Sequence, residues 1–180
     1  ANIEFESAKN LYFSQKYQAA VDRLLEFIDN YPDNVNVDEA RYYIAESYYR
    51  SDQIDQALQY FYQIAEQGTS SRLNRTIQRI GELEQYRGNH EQAIQYFRRL
   101  AKIARNKREQ FNAWSGMMIS YFVQGEENES LLDSVDFYAD FILEKGNVSA
   151  AAENMAMLYQ GKAAYQRGNY EKAVDNFLKT

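Results

Sequence analysis

Apolar residues return every three or four positions along almost the whole chain, in segments separated by short polar breaks, and that spacing predicts helices. Residues 3–14 carry Phe5, Ala8, Leu11 and Tyr12 on one side. Residues 17–30 follow a turn at Gln15–Lys16 and align Ala20, Val21, Leu24, Phe27 and Ile28. Tyr31–Pro32 stops that segment, because proline lacks the N–H and disfavours helical geometry in the residue before it. A second pair is predicted at 39–50 and 54–67, ending at Gly68, and a third at 73–87 and about 90–103. The turn of the third is Gly88–Asn89, where glycine tolerates the left-handed backbone and asparagine accepts an N–H at the next helix start. A fourth pair is expected at 108–124 and 130–144 around a loop at 125–129, with Ser130 and Asp133 as a capping box. Gly146–Asn147 then leads to Ser149, read as the N-cap of a helix at 150–166, and Gly168–Asn169 repeats the earlier turn before a helix at 170–179. This is an all-α reading of about ten helices in five hairpins.

The hairpins are copies of one another. Residues 87–97, RGNHEQAIQYF, return at 167–177 as RGNYEKAVDNF, and looser copies start at Gln15 and Asp52. Aligning the copies superimposes Ala20, Ala57, Ala93 and Ala173, with Ser134 in the same slot of a degenerate fourth copy. The first helices repeat a small residue too, at Ala8, Ala45, Gly81, Gly116 and Gly161. Two helices approach closely only where one of them presents a small side chain, so each hairpin is expected to close on this pair. A repeat of this length signals a stacked helical array. The expected units are about 1–35, 36–71, 72–106, 107–147 and 148–180. The last is truncated, and the whole is expected to be part of a longer protein.

Composition narrows the chemistry. The 180 residues include one proline, eight glycines, sixteen tyrosines and ten phenylalanines, a helix-rich mixture with many large wedges. The absence of cysteine excludes disulfides, thiolate catalysis and thiolate-held metals. No apolar run reaches the roughly 18 residues that would suggest a membrane-spanning helix. The only histidine, His90, occupies a turn where the related copy has Tyr170. With one His and no Cys, neither a nucleophilic triad nor an N/S metal site can be assembled. The connector Asn34–Val35–Asn36–Val37–Asp38 has the start of a calcium loop but Ala45 where the closing Glu is required. Glu126, Glu127 and Glu129 read as a solvated loop. No enzyme and no cofactor are expected.

The small residues of the first helices, followed by Gly-Asn-Tyr-x-x-Ala-x-x-x-Phe and Tyr-Pro, resemble the tetratricopeptide repeat family along essentially the whole chain. That resemblance implies a right-handed superhelical solenoid of antiparallel helical hairpins whose first helices line a concave, peptide-binding face. The first two units, with their YP…EA-x-YY spacing, are also similar to repeats of bacterial envelope proteins, the outer-membrane assembly lipoprotein of the Bam complex and the periplasmic coordinator linked to Tol–Pal. A periplasmic or envelope location is the corresponding expectation, with the cytoplasm as the alternative. In register, the concave face is expected to take Phe5, Lys9, Tyr12 and Phe13 from the first unit and Tyr42, Glu46 and Tyr49 from the second. The third gives Arg75, Gln78, Arg79, Glu82 and Tyr86, the fourth Met117 and Tyr121, the fifth Leu158, Lys162 and Tyr165. A tyrosine near the end of every first helix suggests a ladder of rings with hydrogen-bonding tips; the other reading is that these rings pack between repeats. The clamp with which some relatives hold a C-terminal carboxylate is not preserved, since Phe5 and Tyr43 stand at its polar positions and only Lys9, Arg75 and Arg79 keep its character.

Charge is segregated. Residues 1–71 carry 5 basic and 12 acidic groups, residues 72–108 carry 10 and 3, and residues 109–180 carry 5 and 11. The basic band is either a solvated module or a site for an acidic ligand; an acidic whole of net charge −6 argues against nucleic acid. The expected function is a non-catalytic scaffold that binds a protein or peptide segment on the concave face, an acidic one where the basic band takes part. The alternatives are a structural spacer and an accessory domain of a larger envelope or enzyme protein.

Overall fold

The computed structural model describes residues 1–145 and 149–180. The expected Gly146–Asn147 turn lies outside them. Every regular element among the described residues is helical. The chain divides into two compact units, Ala1–Ile80 and Gly81–Thr180.

The first unit holds α1 (Asn2–Phe13), α2 (Tyr17–Asn30), α3 (Val37–Arg50), α4 (Ile54–Gln67) and the first half of α5 (Leu73–Tyr86). Each of the helices α1 to α4 packs on the next, α1–α2 and α3–α4 as hairpins, and α1 also touches α3. The leading helices α1, α3 and α5 thereby share one face and the trailing helices α2 and α4 another. The core is built from the repeated alanines, Ala8, Ala20, Ala45 and Ala57, with Phe5, Leu24, Phe27, Ile44, Phe61 and Ile64 between them, all buried. Each hairpin turn passes through a left-handed residue: Gln15 and Asp52 have φ of 61°. The copies downstream put glycine at the corresponding places, Gly88 and Gly168, with φ of 82° and 76°.

The second unit holds the rest of α5, then α6 (His90–Ile103), α7 (Lys107–Gly125), a short 3-10 turn (Glu129–Leu131), α8 (Leu132–Lys145), α9 (Ala150–Gln166) and α10 (Tyr170–Phe177). Here the small residues are glycines, and each faces an aromatic ring. A Cβ on Gly81 or Gly116 would stand 2.9 or 2.5 Å from the Phe97 ring, so one ring fills the notch of two helices; a Cβ on Gly161 would stand 2.5 Å from Phe177.

Several local expectations are corrected. In α8 the buried positions are Leu132, Val135, Ala139 and Ile142, so Val135 takes the repeated small slot and Ser134 is only half-buried. The start of that hairpin arm is capped by Asn128, whose Oδ1 accepts from the Ser130 N–H and hydroxyl, in place of the expected Ser130–Asp133 box. Asn89 does not cap α6 with its side chain; its amide donates instead to Glu84 Oε2 at 2.6 Å. Asn169 and Ser149 do cap, accepting from Lys172 N and Ala152 N. Asn106 caps α7, its Oδ1 accepting from Glu109 N, and Glu109 Oε2 reaches past the cap to accept from Arg105 N.

Candidate interaction face

On the leading-helix face of the first unit, arginines and tyrosines interleave. Arg79, from the second turn of α5, donates Nε and Nη2 to the two oxygens of Glu46 on α3, at 3.1 and 3.3 Å, and both side chains are buried. Its guanidinium lies 4.0 Å from the centre of the Tyr49 ring. About two turns earlier, just ahead of α5, Arg72 donates Nη2 to Glu39 at 2.9 Å and sits 5.4 Å from the Tyr42 ring. Helical spacing places Arg72, Arg75 and Arg79 in one row, as the sequence requires, but two of the three cations are answered internally. Arg75 is exposed and makes no ion pair among the described residues.

Burial raises the Tyr42 phenol to about 12, with the Glu46 carboxylate adding to the rise and Arg75 and Arg79 opposing it. Tyr12 is raised for the same two reasons, burial first and then Glu46, against a hydrogen bond from Arg50. Rings of Tyr12, Phe13, Tyr17 and Tyr43 close the α1 side, with centroids 5.1 to 5.9 Å apart where they touch. Phe13 is exposed and Tyr12 half-buried. Lys9 pairs with Glu6 at 2.7 Å and lies over Phe5. The face thus offers ring edges and two cations, Arg50 and Arg75, beyond those matched by its own carboxylates. Of the acidic residues in this part of the chain, Asp22, Glu26 and Asp29 lie on α2 and Asp55 and Glu66 on α4, while Glu4, Glu6, Asp38, Glu39 and Glu46 lie on the leading helices.

The remaining expected residues fall into three groups. Phe5 and Met117 are corrected outright, because both are core: Phe5 packs on Phe27 of α2, and Met117 packs with Ala93, Ile94 and Phe97 of α6. Tyr42, Glu46 and Arg79 are buried and support the face from below. Tyr121 is half-buried, stacked on Tyr138 at 6.0 Å, with Arg98 Nη2 donating to its hydroxyl; it packs between helices instead of forming a ladder rung. Gln78, Glu82 and Leu158 are half-buried, while Tyr86 and Tyr165 are exposed. Lys162 is half-buried over the rings of Tyr159 and Phe122, at 4.7 and 5.8 Å. Sequence reasoning placed Arg72 in the row but missed its partner Glu39, and it missed Arg50. A usable signal existed, because both acid–arginine pairs between α3 and α5 have the same separation of 33 residues.

His90 Nδ1 lies 3.5 Å from Ser120 Oγ, which also accepts from Gln85 Nε2 at 2.8 Å. Ser120 is fully buried, so this contact ties α5, α6 and α7 together and presents no nucleophile. Among the described residues no cluster of three or more His, Asp or Glu side chains could hold a metal ion, and no helix is long and apolar enough to cross a membrane.

Comparison with known proteins matches this geometry. Models of the tetratricopeptide repeat match residues 5–72, and again 76–106 and 155–179, together more than half of the chain. No curated protein sequence matches. Among solved structures, a tetratricopeptide repeat protein from Parabacteroides merdae superposes with a TM-score of 0.81 at 16% identity, over 98% of this chain and 64% of that one. This chain therefore spans less than two thirds of that protein. A putative kinesin light chain with nearly identical TPR-like repeats from Podosopora anserina gives 0.69 at 10% identity, covering 99% and 92% of the two chains. BtubC (BKLC) from P. vanneervenii gives 0.70 at 12%, covering 94% and 73%. At such identities the likeness is one of fold. The chain belongs to the tetratricopeptide repeat family, whose members generally act as non-catalytic protein-interaction scaffolds.

Proposed function

We propose that this protein is a non-catalytic scaffold that binds an extended, acidic segment of a partner protein on the leading-helix face of its first unit, the face that the family resemblance expects to be concave. The observation that carries this reading is Arg75. It is exposed in a row whose other arginines are neutralised by Glu39 and Glu46, and Arg50 adds a second cation beside Tyr12. Tyr12, Phe13 and Tyr49 supply rings that can receive apolar side chains at low entropic cost. A segment alternating carboxylates with apolar residues satisfies both features. Attraction to it weakens as salt screens the cations. The YP…EA-x-YY spacing of the first two hairpins supports a partner from a bacterial envelope, and the five-hairpin division a role as one stretch of a longer repeat protein.

The test is fluorescence polarisation with a panel of labelled peptides of equal length, either acidic–aromatic or basic–aromatic. Acidic peptides are expected to bind more tightly, to lose affinity with added salt, and to lose at least about tenfold with Arg75→Glu. Equal binding of both classes, or an Arg75→Glu protein that binds like the parent, removes this reading and favours a structural spacer, in which the arginines serve only to join α3 and α5.

A further inference from the structure

Two rows of exposed side chains run side by side on the trailing helices of the second unit. On α6 the row is Glu91, Gln95, Arg98, Lys102 and, just past the helix, Arg105; on α8 it is Asp133, Phe137, Asp140 and Glu144. Steps of three and four residues keep each row on one side of its helix. Phe137, at 56% exposure, is the large apolar residue among them. Tyr138 lies between the rows: it packs against the Ala93, Ile94 and Phe97 cluster of α6 and stacks on Tyr121, to whose hydroxyl Arg98 donates. Along α7, Trp114 meets Phe141 and Tyr121 meets Tyr138, so α8 is antiparallel to α7. So is α6, joined to α7 by residues 104–106 alone, and α6 and α8 therefore run the same way. With Arg98 level with Tyr138, the cationic end of the α6 row lies beside Asp140 and Glu144. Most of these charges are unanswered within the chain. Arg98, Lys102, Arg105 and Glu144 make no ion pair among the described residues. Asp140 accepts from the neutral amide of Gln160; only Asp133 is matched, by Arg167.

We propose that this face pairs with the same face of a second copy of the chain, about a two-fold axis parallel to the helices. That operation sets α6 of each copy against α8 of the other at the same level, and every contact occurs twice. Arg98 then falls between Phe137 and Asp140, and Lys102 and Arg105 beside Asp140 and Glu144. Phe137 is covered by Gln95 and the apolar stem of Arg98. At the far end Glu91 comes beside Asp133, which Arg167 already neutralises. A ligand of one sign, such as an acidic peptide or an anionic lipid surface, would match one row and be repelled by the other. A face with both signs in level, parallel rows is complementary to itself. Continuation of the array does not cover it: α7 already packs on α6, and α7 and α9 on α8, and a further hairpin contacts only its neighbour in the stack. The rows share no residue with the leading-helix face of the first unit.

Sedimentation equilibrium of the full chain at about 100 µM in low salt is expected to show a dimer, one that dissociates in about 0.5 M salt. Arg98→Glu with Lys102→Glu, and separately Asp140→Lys with Glu144→Lys, are each expected to weaken it at least about tenfold. Mixed in equal amounts, the two double variants are expected to pair again, because the reversed row of each matches the native row of the other. Phe137→Ser is expected to weaken the dimer as well, and Arg23→Glu, a charge reversal on α2, to leave it unchanged. Circular dichroism checks that the double variants keep their helix content. A parent chain that is monomeric at about 100 µM overturns the proposal. So does a dimer that neither double variant weakens, or a pair of double variants that stays apart on mixing.

Discussion

The two units join neighbouring leading helices by different means. Between α3 and α5 the contact is ionic: Arg72 to Glu39, and Arg79 to Glu46 with the guanidinium over Tyr49. Between α5 and α7, within the second unit, it is neutral and close: Gln85 donates to Gly116 O and Ser120 Oγ, and Phe97 fills the notches of two glycines. The same backbone repeat is held in one place by paired charge and in the other by fit. Where charge is used, an unmatched cation such as Arg75 can remain for a ligand.

The difference can be broken from either side. Glu46→Ala leaves the buried Arg79 without its carboxylate and is expected to cost about 3–5 kcal/mol, measured by urea unfolding. Replacing Glu46 and Arg79 together by methionine is expected to recover most of that loss, because a buried pair contributes little net over an apolar one; a double variant as unstable as Glu46→Ala would remove the pair from the account. The next effect is a pH dependence that Tyr42 gives the ionic unit. Tyr42 is raised to about 12 in the fold, against about 10 unfolded. Its contribution, at most about 2–3 kcal/mol, is complete below pH 10 and is lost as the pH rises through about 12. Tyr42→Phe is expected to flatten the decline in stability over that window.

In the second unit, Gly116→Ala forces Phe97 aside and is expected to cost about 1–3 kcal/mol. Phe97→Leu in the same chain tests whether the ring is the obstacle, since it should reduce the added cost of the alanine. The smallest effect lies in the turns. Gln15 adopts a left-handed φ of 61°, a conformation that costs a residue with a Cβ about 1–2 kcal/mol. Part of this is offset by glycine's greater unfolded-state entropy. Gln15→Gly is therefore expected to gain about 0.5–1 kcal/mol, and Asp52→Gly less, because aspartate tolerates that region better. A loss of stability in Gln15→Gly would show that the Gln15 side chain contributes more than its backbone costs.

The hairpins, their turns and the small residues that let them close were legible because each depends on local pattern: apolar spacing, Gly-Asn turns, alanines in register. The fourth repeat was misread by one position at Ser134, since the 3-10 turn ahead of α8 shifts the phase and no local residue signals the shift. The interaction face was legible only in part. Sequence spacing put Arg72, Arg75 and Arg79 in one row, but whether a guanidinium is answered depends on a carboxylate 33 residues away. Likewise, periodicity could not tell that Met117 is core, because α7 is apolar around much of its circumference: Met117 turns inward among α6 residues, and Met118 toward Leu132 and Val135.

The central claim is that the leading-helix face of the first unit is where a partner segment binds. Amide hydrogen exchange with and without a saturating acidic–aromatic peptide tests it most directly. Slowed exchange is expected in α1, α3 and the Leu73–Ile80 half of α5, with α2 and α4 unchanged and with the protection absent in Arg75→Glu. Protection confined to α6–α10, or protection that persists in Arg75→Glu, would contradict the account.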